Sequence, residues 1–211
     1  MDPHTYLLFI GAVFVLVIVP GPDMAYYLAR TFAQGRRAGV LAVLGINVGA
    51  YVHMMAAVLG LSAILATSST AFTVVKWVGA GYLVWLGLQA FRSGARPIAV
   101  DRPAHPALEG RVIFWQGFLC DVLNPKVALF YLTFLPQFVQ VQAATPSVTQ
   151  QLLILGVTCN VMALAINLLV VHMAHRVARA FRHGHRVTSW LERTAGILLI
   201  GLGLRLALER N

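Results

Sequence analysis

The sequence predicts an all-α membrane protein: six transmembrane helices forming two inverted three-helix repeats, with helices 1 and 4 broken. Three observations predict it. The 211 residues are 59% hydrophobic and only 11% charged, whereas about a quarter of the residues of a soluble domain are charged. The apolar residues gather into six stretches long enough to span, since a helix needs ~20 mostly apolar residues to cross the hydrocarbon. Prolines interrupt the first and fourth stretches at comparable places, around Pro20, Pro22 and Pro125.

In chain order the stretches are Thr5–Leu28, Gly39–Leu65, Phe72–Phe91, Val112–Phe138, Gln151–His175 and Trp190–Leu208. The chain reads as a single transmembrane domain, with one repeat over about 5–91 and the second over about 112–208. The polar 92–111 segment between them, with Pro97, Pro103 and Pro106, reads as a loop. The opening Met1-Asp2-Pro3-His4 lacks the basic region of a cleaved signal, and no small-residue cleavage site precedes Pro20, so the first span is expected to be retained. Cys120 and Cys159 fall inside spans and read as small packing residues.

The net charge of +9 raises nucleic acid as a partner, but its placement argues against that. Arg30, Arg36 and Arg37, then Arg92, Arg96, Arg102 and Arg111, then Arg176, Arg179, Arg182, Arg186 and Arg193 all flank the odd-numbered connections. The opposite side has only Lys76, Arg205 and Arg210 near span ends. Twelve against three is a positive-inside bias. It predicts odd loops in the cytoplasm and both termini in the periplasm of a multi-pass bacterial inner-membrane protein, with anionic lipid as a contact for the basic loops.

The repeat is visible in Gly79–Leu88 against Ala195–Leu204, which share Leu83/Leu199, Leu86/Leu202, Gly87/Gly203 and Leu88/Leu204. Pro22-Asp23-Met24-Ala25 likewise lies against Pro125-Lys126-Val127-Ala128. Three spans per half is an odd number, so the second half enters the membrane upside down relative to the first. Inverted repeats are a transporter architecture with the site near the midplane.

Against this apolar background a few residues stand out. In Pro20-Gly21-Pro22-Asp23 two prolines remove backbone donors and Gly21 adds freedom, so the helix breaks. Pro22 suits the first position of a new half-helix, and Asp23 in its first turn meets the positive end of the dipole. Asp23 reads either as a locally satisfied carboxylate at a kink or as a functional intramembrane acid. In Asp121-Val122-Leu123-Asn124-Pro125-Lys126, Asn124 and Pro125 restart a second helix, and Lys126 is a cation in its first turn. Asp23 and Asp121 are its natural counter-charges, the alternative being that Lys126 snorkels to an interface. In span 2, Gly45, Gly49, His53, Ala56 and Gly60 share one face and read mainly as a packing stripe. Within that span His53 and Asn47 are also site candidates. Asn160 and Asn167 read first as interhelical glue. His172, His175, His183 and His185 read as a solvated basic end with no metal. No enzyme motif and no cofactor signature occurs.

At these residues the chain resembles the LysE/RhtB amino-acid exporter family. The resemblance rests on Pro20-Gly21-Pro22-Asp23, Gln34-Gly35-Arg36-Arg37-Ala38-Gly39, Leu44-Gly45 with Gly49 and His53, Gly81-Tyr82-Leu83, Asn124-Pro125-Lys126 and Leu135-Pro136-Gln137-Phe138, in order over about residues 5–205. It implies export of an amino acid such as lysine, arginine, homoserine, threonine or leucine, driven by the proton-motive force. The implied partners are the amino acid, protons and the bilayer, with a homodimer left open. Asp121 departs from the Asn common in such proteins, and Ala50 departs after Gly49, so the amino acid stays open. The expected arrangement brings the two breaks together near the midplane. The half-helix N-termini and Lys126 receive the substrate carboxylate, and Asp23 meets its ammonium group and is the first candidate for proton coupling, with Asp121 in reserve. A cation or metal exporter of the same superfamily and a non-transporting membrane protein are the alternatives.

Overall fold

The computed structural model describes the backbone of residues 3–67, 107–139 and 146–174, and scattered positions between 74 and 88 and between 193 and 204. The side chains of residues 62–67 and of Pro125, Lys126 and Leu129 lie outside what is described. Within these limits the chain is helical, with α1 (Pro3–Ile18), α2 (Pro22–Gln34), α3 (Arg36–Thr67), α4 (Gly110–Val122), α5 (Pro125–Phe134), a 3-10 turn (Leu135–Phe138) and α6 (Val148–His172). No strand occurs among the described residues.

The first break follows from its prolines. α1 stops at Ile18, Gly21 is extended before α2, and Pro22 takes the first helical position, where its missing donor costs nothing. The two helices meet at a bend of 54°. α2 does not stop at Leu28, as hydropathy suggests, but runs on to Gln34, because Ala29, Arg30, Ala33 and Gln34 are good helix formers whatever their polarity. The loop expected around Arg30–Arg37 therefore shrinks to Gly35. At φ 86° it occupies the left-handed region, and its N–H donates to Thr31 O at 2.9 Å.

The second break lies at Leu123-Asn124, between α4 and α5. The fourth span contains a further irregularity that hydropathy did not suggest: Pro136 ends α5 in a 3-10 turn. α6 begins at Val148, three residues before the expected Gln151, because Ser147 and Gln150 form a reciprocal capping box.

Two described helices, Arg36–Leu61 and Val148–His172, are each long and apolar enough to cross a membrane, and α1 with α2 as a bent pair makes a third. At 1.5 Å per residue the 25 residues of α6 extend ~37 Å, more than the ~30 Å hydrocarbon core. The spans expected at Phe72–Phe91 and Trp190–Leu208, and with them the matching Gly79–Leu88 and Ala195–Leu204 segments, lie outside the described residues except at scattered helical positions.

α3 is the central element and packs along α2, α4 and α6. The approach to α4 is close: a Cβ at Gly45 would collide with Phe114 O, and one at Gly49 would lie 2.9 Å from Phe118 O. Small residues permit such backbone contact. Further along the same stripe Ala56 is exposed and Gly60 faces open space, so only its first half is an interface among the described residues. Two apolar clusters result. One joins Phe9, Val13, Met54, Leu61, Phe134 and Leu155. The other joins Met24, Tyr27, Leu28, Val43, Ile113 and Val171. Both helix breaks fall between them.

Candidate functional site

The gap between the clusters holds a cavity of about 150 Å³, enough for a small solute or several waters. Its walls are largely aliphatic and aromatic, from residues such as Val17, Ile46, Ala50, Val127 and Phe130. Its polar lining comes from Asp23, Asp121, Asn47, Asn160, Asn167 and the hydroxyl-bearing Tyr27 and Tyr131. Asn160 is twelve residues from either end of α6, or ~18 Å of helix each way. The cavity thus sits at mid-length of an element that is long enough to span.

The two breaks meet here. Asn124 Nδ2 donates to Asp23 Oδ2 at 3.2 Å and lies 3.5 Å from Oδ1, and Cys120 Sγ approaches Oδ1 at 3.7 Å. Asp23 is half-buried in the first turn of α2, where the helix dipole favours an anion. Asn124 is buried and its carbonyl accepts from the Val127 and Ala128 N–H groups that open α5. One residue therefore restarts the fourth span and binds the carboxylate of the first.

Asp121 has a different setting. It is 2% exposed, stands next to last in α4, and its Oδ2 is buried with no hydrogen-bond partner among the described residues. Its main-chain carbonyl is well served. His53 Nε2 lies 3.0 Å from it and Asn124 N–H donates to it at 2.9 Å. A carbonyl only accepts, so Nε2 carries the hydrogen. His53 thus caps a helix end that the break leaves open, a structural role for a residue the sequence offered as a site candidate.

The remaining polar residues hold helices together. Asn47 Nδ2 donates to Asn160 O at 3.0 Å, Tyr131 Oη to Asn160 Oδ1 at 2.7 Å, and Tyr27 Oη to Asn167 Oδ1 at 3.3 Å. Asn160 is fully buried, and these bonds fix the orientation of every asparagine in the lining. The backbone of Lys126 lies in the first turn of α5, and its side chain is outside the described residues. Sequence reading missed Cys120 as a neighbour of Asp23, Cys159 as a lining residue, and Tyr27 and Tyr131 as anchors. Tyrosine and cysteine in an apolar span have no signal of their own before their partners are known. Among the described residues no three His, Cys, Asp or Glu converge as metal ligands. His172 Nδ1 instead donates to Leu168 O at 2.7 Å, and His175, His183 and His185 lie outside the described residues.

A family model described as LysE type translocator matches residues 14–210. A leucine efflux protein of Klebsiella pneumoniae is 32% identical over 205 residues, covering 96% of this chain and 93% of that protein. A homoserine/homoserine lactone efflux protein of Salmonella typhimurium is 30% identical over 197 residues, covering 93% of each chain. An uncharacterized membrane protein of Bacillus subtilis is 30% identical over 213 residues, covering 98% of this chain and all of that one. No solved structure matches the chain significantly.

Proposed function

This chain belongs to the LysE type translocator family, and from that premise we propose that it exports an amino acid or close derivative from the cytoplasm by proton antiport. Relatives named for leucine and for homoserine efflux support a small, uncharged side chain on the substrate. The observation that carries the proposal is the meeting of Asp23 and Asn124, from two separate helix breaks, at a largely apolar cavity.

An α-amino acid has an ammonium and a carboxylate on one carbon, so its site must present both signs of charge within a few ångströms. Asp23 faces the ammonium group. The N-terminal turn of α5, the positive end of that helix, with Lys126 in it, faces the carboxylate. The aliphatic walls take the side chain. In a six-span arrangement of two inverted repeats this site lies near the midplane, with the two apolar clusters as plugs on either side of it. Loosening one while the other stays packed gives alternating access. In this topology both termini face the periplasm. An active alkaline-phosphatase fusion after Asn211 is expected, and an inactive one would overturn the orientation.

Growth of cells with and without the gene, challenged with a panel of amino acids and dipeptides, tests the function. Expression is expected to relieve inhibition by at least one member of the panel. Relief by divalent metal salts alone would point to the cation exporters instead.

A further inference from the structure

We propose that Asp121 is the proton-carrying site: its carboxyl holds a proton while the cavity is empty and releases it when the ammonium group of the substrate arrives. This rests on the antiport proposal above and names the residue that couples it. The sequence put Asp23 first for this task, and the surroundings of the two carboxyls reverse the order.

A carboxylate needs donors. Asp23 is met by Asn124 Nδ2 at 3.2 Å and Cys120 Sγ at 3.7 Å, at the positive end of α2. Asp121 lies at the negative end of α4, is 2% exposed, and has a buried Oδ2 with no partner among the described residues. The α3 backbone presses on it where a Cβ at Gly49 would lie 2.9 Å from Oδ2. An ionised oxygen left bare in such a place is strongly disfavoured, whereas the neutral acid brings its own O–H. Both carboxyls line the same cavity, and like charges in one apolar site resist joint ionisation.

Among the described residues, the other titratable groups around Asp121 have contacts of their own or are buried thiols. Tyr27 of α2 and Tyr131 of α5 are bonded to Asn167 and Asn160. His53 of α3 is bonded to the Asp121 carbonyl, Cys120 of α4 approaches Asp23, and Cys159 of α6 is a buried thiol. The Lys126 side chain of α5 is outside the described residues. In the exchange, the O–H bond of Asp121 breaks toward cytoplasmic water as an ammonium N–H turns to the freed oxygen. After the substrate leaves, the carboxylate takes a proton from periplasmic water.

Infrared spectroscopy of the purified full-length protein in lipid tests this through the carbonyl-stretch band of a protonated carboxylic acid. The band is expected in the wild type, to fade on addition of leucine or homoserine, to vanish in Asp121→Asn and to survive in Asp23→Asn. No band in the wild type, or a band lost in Asp23→Asn, overturns the proposal even where Asp121→Asn does not fold. In proteoliposomes, Asp121→Asn is expected to lose accumulation driven by a pH gradient while still exchanging labelled for unlabelled leucine or homoserine. Wild-type accumulation by Asp121→Asn overturns the proposal and leaves antiport standing. A wild type that ignores the pH gradient removes both.

Discussion

The two helix breaks hold one carboxylate each, at opposite helical poles. Asp23 opens α2 and is met by Asn124 and Cys120. Asp121 closes α4, with a partnerless Oδ2 among the described residues and a carbonyl that takes the donors instead. Two aspartates lining one cavity thus have different surroundings. Asp23 has the positive end of a helix and donors from the facing break, whereas Asp121 has the negative end of a helix and no donor on Oδ2 among the described residues.

The comparison breaks most visibly at Asp23. Asp23→Asn is expected to lower both exchange and accumulation, because a charge-assisted bond worth ~1.5–3 kcal/mol corresponds to ~10- to 100-fold in affinity. Concentration dependence of exchange in proteoliposomes checks it, and an unchanged half-saturation would assign the ammonium contact elsewhere. Asn124→Ala removes the donor from the other break and should weaken substrate affinity by ~tenfold, the lower end of that range.

The close approach of α3 and α4 gives the next effect. Gly49→Ala pushes a methyl against Asp121 and Phe118 O, with contacts of 2.8 and 2.9 Å. Overpacking of this kind costs ~1–3 kcal/mol and should lower the thermal unfolding midpoint in detergent. Gly60→Ala meets nothing within 4 Å and should leave that midpoint unchanged or slightly raised. Equal effects at the two glycines would remove the packing account of the stripe. His53→Ala sharpens the account of the second break at smaller scale. Losing one capping bond should cost ~1 kcal/mol of stability and leave the pH profile of transport in place, whereas a shifted profile would return His53 to the coupling machinery.

Much of this was legible in the sequence because proline and charge act locally. Pro20, Pro22 and Pro125 determine where helices stop whatever surrounds them, and an aspartate between apolar runs is conspicuous in any membrane protein. The approach of the two breaks was also legible once both were placed at one depth, but the sequence offered Lys126 as the partner of Asp23 and did not suggest the Asn124 contact. Other features depend on tertiary partners and had no local trace. Cys120 reads as filler until Asp23 lies beside it, and His53 reads as a packing residue or a site candidate until an open helix end needs a donor. The extension of α2 to Gln34 was missed for another reason: hydropathy marks where a membrane ends, and a helix ends only where its backbone is stopped, here by Gly35.

The most direct measurement is uptake of labelled amino acids into everted membrane vesicles from cells that express the chain. Saturable accumulation of leucine, homoserine or another member of the panel is expected, collapsed by a protonophore and lost in Asp23→Asn at equal membrane abundance. Vesicles that accumulate no amino acid above the vector control, or that accumulate one equally well without Asp23, would contradict an exporter built on the meeting of the two breaks.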